Sequence, residues 1–146
     1  MQVTMGSITK EEALDELRKS IVFAQKNGEL LCIFLDKISA DWKGEWKDDA
    51  IFNGDKVFDF PLWRDNEKEI WKPYVKDDEN SGPGGMNPGH MMSQKDFSIA
   101  ICTQCADEDL AETIAGIPHF DLMDKLIIEW KSWSFFKIKL SQDFTA

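Results

Sequence analysis

Two short stretches of the sequence, residues 30–35 and 97–102, are apolar at nearly every position. Side chains of a β-strand point alternately to its two faces, so a run that is apolar on both faces is typical of a strand covered on both sides. Such strands occur in sheets flanked by helices, and helical patterns precede and separate the two runs. The sequence therefore predicts an α/β or α+β domain, in which a layered sheet of about four to five strands is flanked by helices.

The first helix is predicted to begin after Thr9. Glu12 follows Thr9 by three residues, the spacing of a capping box that satisfies two free amides at the start of a helix. Charged residues, including Asp15 and Arg18, are assigned to the solvent side. The apolar side is formed by Leu14, Leu17, Ile21 and Ala24. Gly28 predicts the end of the helix, because glycine accepts the left-handed conformation common at helix C-termini.

The rest of the chain contains further signals for secondary structure. Residues 57–60 are predicted to form a short strand. Pro61 is suited to the first position of a helix of about ten residues, which would end before Pro73. Another helix is predicted after the acidic residues 107–109, because negative charge stabilises a helix N-terminus. The closing strands are predicted at residues 126–128 and 135–140.

The composition restricts the partners of the chain. Its 146 residues include 27 acidic and 17 basic side chains, a formal net charge of -10. This length and a hydrophobic share of 42% are those of one globular domain, so we expect residues 1–146 to form a single acidic domain. Excess negative charge repels phosphate backbones and anionic lipids. Nucleic acids and membrane surfaces are therefore not expected as partners.

The cellular location is predicted from the cysteines and the N-terminus. Three cysteines are an odd number for a disulfide framework. The sequence has neither a run of about eighteen apolar residues nor the pattern of a signal peptide. We therefore expect a cytoplasmic protein whose cysteines are free thiols.

Residues 76–96 interrupt the patterns of helix and strand. Residues 77–85 include no apolar side chain other than proline, and their glycines and proline disfavour both helix and strand. Long loops of this kind inside a compact domain are either functional or disordered, and the sequence leaves both open. The sequence predicts a flexible loop over residues 76–96, which could become ordered on a partner.

Cys102 and Cys105 form the one short motif that has a chemical mechanism, Cys-Thr-Gln-Cys. The motif follows a predicted strand and precedes a predicted helix, where amide dipoles stabilise a thiolate. The acidic residues 107–109 act in the opposite direction, because negative charge raises the pKa of a nearby thiol. Thiol–disulfide chemistry at this pair is one hypothesis, and small buried or half-buried thiols are the simpler interpretation.

Residues Leu30–Asp36 form an apolar strand that ends in a carboxylate. This arrangement resembles the Walker B strand of P-loop and AAA-type ATPases, in which the terminal carboxylate holds magnesium or its bound water. The resemblance implies a nucleotide-binding fold and makes Asp36 the candidate nucleotide or metal residue. The chain has no G-x-x-x-x-G-K-[ST] motif, and Lys37 stands where AAA-type members have glutamate. The resemblance therefore implies a passive module that has lost its nucleotide.

Tryptophan occurs six times, always among charged residues rather than in the apolar runs. This placement predicts that some of the rings lie near the surface. Large amphipathic rings at partly solvated positions are enriched in protein interfaces. The alternative is that these rings cover the sheet edges and helix ends of the domain itself. The candidate interface residues are Trp42, Trp46, Trp63, Trp71, Trp130 and Trp133.

No catalytic residue, metal or cofactor is assigned. His90 and His119 are the two histidines of the sequence, and the carboxylate clusters lie in polar stretches where solvent keeps them ionised. We therefore interpret the chain as a non-catalytic interaction or structural subunit of a larger cytoplasmic or cytoskeletal assembly. Its partners would be proteins, and its oligomeric state is left open. A thiol–disulfide redox protein and a degenerate nucleotide-binding module are the two alternatives.

Overall fold

The computed structural model describes residues 8–132 and 135–140, and the burial of side chains through residue 128. Its helices and strands are α1 (Lys10–Asn27), β1 (Leu30–Asp36), α2 (Gly54–Val57), α3 (Phe60–Trp63), β2 (Ser98–Thr103), α4 (Leu110–Ala115), β3 (Leu126–Ser132) and β4 (Phe135–Leu140). Short 3₁₀ turns lie at Lys72–Tyr74, Pro83–Gly85 and Phe120–Leu122. In this part of the chain, no helix has the length and apolar character needed to cross a bilayer. The architecture is mixed α/β.

Helix α1 begins and ends where the sequence predicts. The Glu12 amide donates to Thr9 Oγ1 (3.2 Å) and the Thr9 amide donates to Glu12 Oε2 (2.7 Å), which confirms the capping box. Gly28 follows the helix with a φ of 73°, in the left-handed region that a side chain with a Cβ rarely adopts. The apolar side faces the core, where Leu14 and Ile21 are almost completely buried.

Strands β1 and β2 pair in parallel, with Ile33 opposite Ile101. Exposure alternates along β1, because Leu31 and Ile33 pack against the core whereas Leu30 and Phe34 remain exposed. The prediction of a strand covered on both sides is therefore wrong. An apolar run shows that both faces are apolar, but which faces become covered depends on the packing of distant segments. Among the described residues, one face of this sheet is covered and the other is not.

Strands β3 and β4 form an antiparallel pair, so both closing strands are confirmed as strands. Over residues 8–132 and 135–140, the four strands form two separate pairs, β1 with β2 and β3 with β4. Hydrogen bonds therefore do not join the described strands into one continuous sheet. The mixed α/β class could be predicted from local patterns, whereas the grouping of strands into sheets could not.

Aromatic residues between β1 and β2 supply much of the core. The rings of Trp42 and Phe58 pack with centroids 5.0 Å apart, and those of Trp63 and Tyr74 pack at 5.4 Å. All four residues are at most 4% exposed. The chain between the two strands has little regular secondary structure, and these large side chains bury the apolar area that holds it together.

Two local predictions in this aromatic region are wrong. Residues 57–60, predicted as a strand, instead lie at the end of α2 and the start of α3, and α2 begins where Asn53 Oδ1 accepts the amide of Lys56 (3.3 Å). The predicted ten-residue helix at Pro61 is only the four-residue α3. After α3, Asp65 Oδ1 accepts the amide of the residue two positions further on (2.8 Å) and forms a turn. Asparagine and aspartate side chains compete with regular backbone bonding in this way.

Residues 76–96 form a strap that is attached to the core. Met91 is buried, and its amide donates to Asn80 Oδ1 (3.0 Å). Asn66 and Ser93 are joined by two hydrogen bonds. The Ser93 amide donates to Asn66 Oδ1 (2.7 Å), and Asn66 Nδ2 donates to the Ser93 carbonyl (2.9 Å). These contacts argue against the flexible loop expected from the sequence, and the mobility of the strap stays a prediction.

Candidate functional site

The side of the β1–β2 sheet that points away from the core is the candidate functional site. Leu30 is 64% exposed and Phe34 is 58% exposed on this side. Paired residues of adjacent strands point to the same side, and here Cys32 is opposite Ala100 while Phe34 is opposite Cys102. We call the surface formed by these five residues the open face.

Apolar exposure continues beyond both ends of the open face. Next to Leu30, a shallow cleft of about 360 Å³ includes Phe23 of α1, which is 54% exposed. Beyond the carboxyl end of β1, Ile38 is also exposed. Clustered apolar exposure of this kind marks docking sites more often than ordinary surface.

Each strand of this sheet has one free edge. Within the described ranges, β1 pairs with β2 alone and β2 pairs with β1 alone. The outer amides and carbonyls of both strands can therefore accept a further strand. Parallel sheets normally have more strands and are covered on both faces. Over the described residues, this sheet therefore has fewer strands and less cover than parallel sheets normally have.

Charged residues flank the open face at the ends of its two strands. The exposed acidic residues at these ends are Glu29, Asp36, Asp96, Asp107, Glu108 and Asp109. The exposed basic residues there are Lys37 and Lys95. The rim of the open face is therefore negative, in agreement with the net charge of -10.

Two of the three cysteines are in contact on the open face. The Sγ atoms of Cys32 and Cys102 are 3.4 Å apart. Partial desolvation and the neighbouring Cys32 thiol raise the pKa of Cys102. Cys105 lies beyond the end of β2, where its amide donates to Thr103 Oγ1 (3.1 Å). Sequence spacing could not show the Cys32–Cys102 pair, because the two residues are 70 positions apart.

Asp36 ends β1 at the carboxyl edge of the parallel sheet and is exposed. Its backbone has a φ of 53°, and its carbonyl accepts the amide of Gln104 (2.6 Å) and the hydroxyl of Thr103 (3.1 Å). No group of three or more His, Cys, Asp or Glu side chains is arranged to hold a metal in the part of the chain that the structure describes. The role of Asp36 in nucleotide or metal binding stays a prediction.

The described tryptophans lie mainly inside the protein. Trp42, Trp63 and Trp71 are at most 3% exposed, and Trp46 is half-buried against the core. The rings of the first three fill the aromatic core, so these residues are not available as surface interface residues, and the expectation that some of the six rings lie near the surface stays a prediction. Trp130 and Trp133 are not among the side chains that the structure describes.

Arg18 belongs to a buried ion pair, contrary to its predicted position on the solvent side of α1. Its side chain is only 4% exposed, and its guanidinium donates to Glu79 Oε1 (2.9 Å) and to the carbonyl of Tyr74 (2.7 Å). The spacing of Arg18 could have predicted this burial. Arg18 lies four residues after Leu14 and three before Ile21, which places it on the apolar side of α1.

A second concave region lies between the strap and the turn that contains Trp71. This cavity of about 470 Å³ is lined by Asn66, Trp71, His90 and Met91, among other residues. The buried indole N–H of Trp71 has no hydrogen-bond partner among the described residues. None of the residues of the open face lines this cavity, so the two regions are separate.

Comparison of the chain with protein-family models, curated proteins and solved structures finds no match. A proposal of function therefore depends on the open face and its surroundings.

Proposed function

We propose that the chain is a non-catalytic docking module of a cytoplasmic assembly, and that its open face binds another protein. The exposure of Leu30 and Phe34 on a sheet with two free edges carries this proposal. Burying apolar area contributes about 25 cal/mol per Å², and a strand added at an edge contributes backbone hydrogen bonds. The proposed interface is thus the open face rather than the tryptophans.

The partner that fits is a polypeptide with an apolar centre and a basic rim. The carboxylates around the open face, including Asp36 and Asp96, attract lysine and arginine. The same charges repel a second copy of the chain, whose net charge is also -10. Further strands could add to the free edges, so the predicted layered sheet of four to five strands remains part of this proposal.

In-cell photo-crosslinking is the first part of the test. Phe34 is replaced by a photo-crosslinking phenylalanine analogue in the native cells, and Met86 is replaced in the same way as the matched control. Met86 is 62% exposed but belongs to the strap. The expected result is a basic protein that is captured from position 34 and not from position 86.

The captured protein is then purified and titrated with the chain. Phe34→Ser should weaken binding at least tenfold, about 1.4 kcal/mol, whereas Met86→Ser should leave binding unchanged. Binding should also weaken as salt increases, because the rim is charged. Phe34 is exposed, so its replacement should change the free energy of unfolding by no more than about 0.5 kcal/mol. Crosslinking to a second copy alone, or equal binding by both variants, would contradict the proposal.

The resemblance to AAA-type ATPases provides a second candidate, a degenerate nucleotide-binding module. Its support is the position of Asp36 at the carboxyl edge of a parallel sheet, where α/β proteins bind ligands. The test is thermal unfolding with and without millimolar Mg-ATP. An increase in Tm that is lost in Asp36→Asn would favour nucleotide binding, and an unchanged Tm would exclude it.

A further inference from the structure

The two thiols that are in contact on the open face give it a chemical property beyond its apolar surface. Cys32 and Cys102 are both exposed, and their Sγ atoms are 3.4 Å apart. The sulfur atoms of a disulfide are about 2.05 Å apart, so an approach of about 1.4 Å would join them. Small reagents in solution can reach both thiols, because they lie on the uncovered side of the sheet.

The register of the sheet explains why these thiols meet. Cys32 is opposite Ala100 and Cys102 is opposite Phe34, so the two cysteines lie diagonally on neighbouring strands and on one face. The register shifts between Phe34 and Asp36, directly beyond the pair. Diagonal neighbours have Cα atoms about 7–8 Å apart, slightly beyond the range of most disulfides, so the two strands must shift locally for the bond to form.

We propose that Cys32 and Cys102 are a reversible oxidation site, which a low-molecular-weight disulfide such as glutathione disulfide converts to a cross-strand disulfide. One cysteine thiolate attacks a sulfur of the oxidant, forms a mixed disulfide and releases one thiolate of the oxidant. The other cysteine gives its proton to solvent and attacks the protein sulfur of the mixed disulfide, releasing the second thiolate. Two protein thiols are thus oxidised, and one small disulfide is reduced to two thiols.

The Cys-x-x-Cys pair is the competing site for the same chemistry. Among the described side chains, the sulfur atom in contact with Cys102 is that of Cys32. The turn that carries Cys105 is held by Thr103, whose hydroxyl accepts the Cys105 amide and donates to the Asp36 carbonyl. A disulfide between Cys102 and Cys105 would have to rearrange this turn.

The test uses the reduced full-length chain and glutathione disulfide as the oxidant. After reaction, free thiols are alkylated and the peptides are mapped by mass spectrometry without reduction. We expect the free thiols to decrease from three to one, a crosslinked peptide that contains Cys32 and Cys102, and recovery of all thiols with dithiothreitol. The raised pKa of Cys102 predicts faster oxidation at alkaline pH, where more thiolate forms.

Single serine variants are the matched controls. Cys105→Ser should form the same disulfide, whereas Cys32→Ser and Cys102→Ser should form only mixed disulfides with glutathione. Circular dichroism shows whether each variant is folded, and the peptide map of the unmodified sequence decides the outcome independently of the variants. A disulfide between Cys102 and Cys105, glutathione adducts alone, or three unreacted thiols in that sequence would overturn the proposal.

Discussion

The guanidinium of Arg18 forms a two-point ion pair with the carboxylate of Glu79, which lies 61 positions further along the chain. The side chain of Arg18 is 4% exposed and that of Glu79 is 17% exposed. Arg18 belongs to α1 and Glu79 belongs to the strap. The pair therefore joins a helix to a segment that is not part of the same helix or sheet. A buried charge is therefore part of what holds the strap against the helix.

Arg18→Met should lower the free energy of unfolding by about 2 kcal/mol, because Glu79 would then be half-buried without its cation. Residual solvent around Glu79 keeps this loss below that of a fully buried pair. Lys72→Met is the control, since Lys72 is exposed and pairs with Glu69 at the surface. Urea unfolding measures both variants. Equal losses would contradict a structural role for the Arg18–Glu79 pair, and Glu79→Leu should restore part of the stability in the Arg18→Met background.

Acid should destabilise the protein through the carboxylates that face Arg18. The hydrogen bond from Arg18 lowers the pKa of Asp15 and outweighs the opposing effect of burial. Burial raises the pKa of Glu79, but hydrogen bonds from Arg18 and the Lys76 amide outweigh it and leave the pKa below its ordinary value of 4.5. Such carboxyl groups bind fewer protons in the folded than in the unfolded state, so their stabilisation is present above their ordinary pKa and is lost as pH decreases.

We therefore expect the urea midpoint to decrease below about pH 4.5, and to decrease less steeply in Glu79→Gln. Glu67→Gln is the control, because Glu67 is exposed. Unfolding is followed at several pH values between about 7 and 3 for the three proteins. Identical slopes for Glu79→Gln and the unmodified sequence would show that this carboxyl does not contribute to acid sensitivity.

Hydrogen exchange tests whether the strap is ordered. We expect the amide of Ser93 to exchange slowly, because it donates to Asn66 Oδ1, and the amide of Gln94 to be protected by the carbonyl of Gln25 (3.0 Å). Asn66→Ala should accelerate exchange at Ser93, whereas Glu67→Ala in the same turn should not. Rapid exchange at both amides of the unmodified chain would favour the flexible loop instead.

Because Trp63 bonds to the buried amide of Gln25, we expect substitution of Trp63 to lower the free energy of unfolding. Gln25 is completely buried, its Oε1 accepts the indole N–H of Trp63 (3.0 Å), and its Nε2 has no partner among the described residues. Trp63→Phe should cost about 3 kcal/mol, because ring volume is lost and the amide is left without a bond. Gln25→Met should restore part of that loss in the same background. Strictly additive effects in chemical unfolding would show that the two side chains are not coupled.

Features that depend on neighbouring residues could be predicted well. The capping box of Thr9 and Glu12, the end of α1 at Gly28 and the start of α4 after residues 107–109 all depend on atoms a few positions apart. Local predictions failed where a side chain bonds to a nearby backbone amide, because Asn53 caps the short helix α2 and Asp65 forms a turn after α3. Patterns of hydrophobicity do not record these bonds.

The sequence by itself determined the mixed α/β class and the positions of α1 and the four strands, because caps and hydrophobic periodicity act between near neighbours. Only the tertiary structure decided that the described residues leave one side of β1 uncovered, that Cys32 contacts Cys102, and that Arg18 is buried rather than solvated. The physical reason is that coverage and long-range contact depend on how distant segments pack. The same apolar strand can be buried on both sides or on one, according to what the rest of the chain places against it.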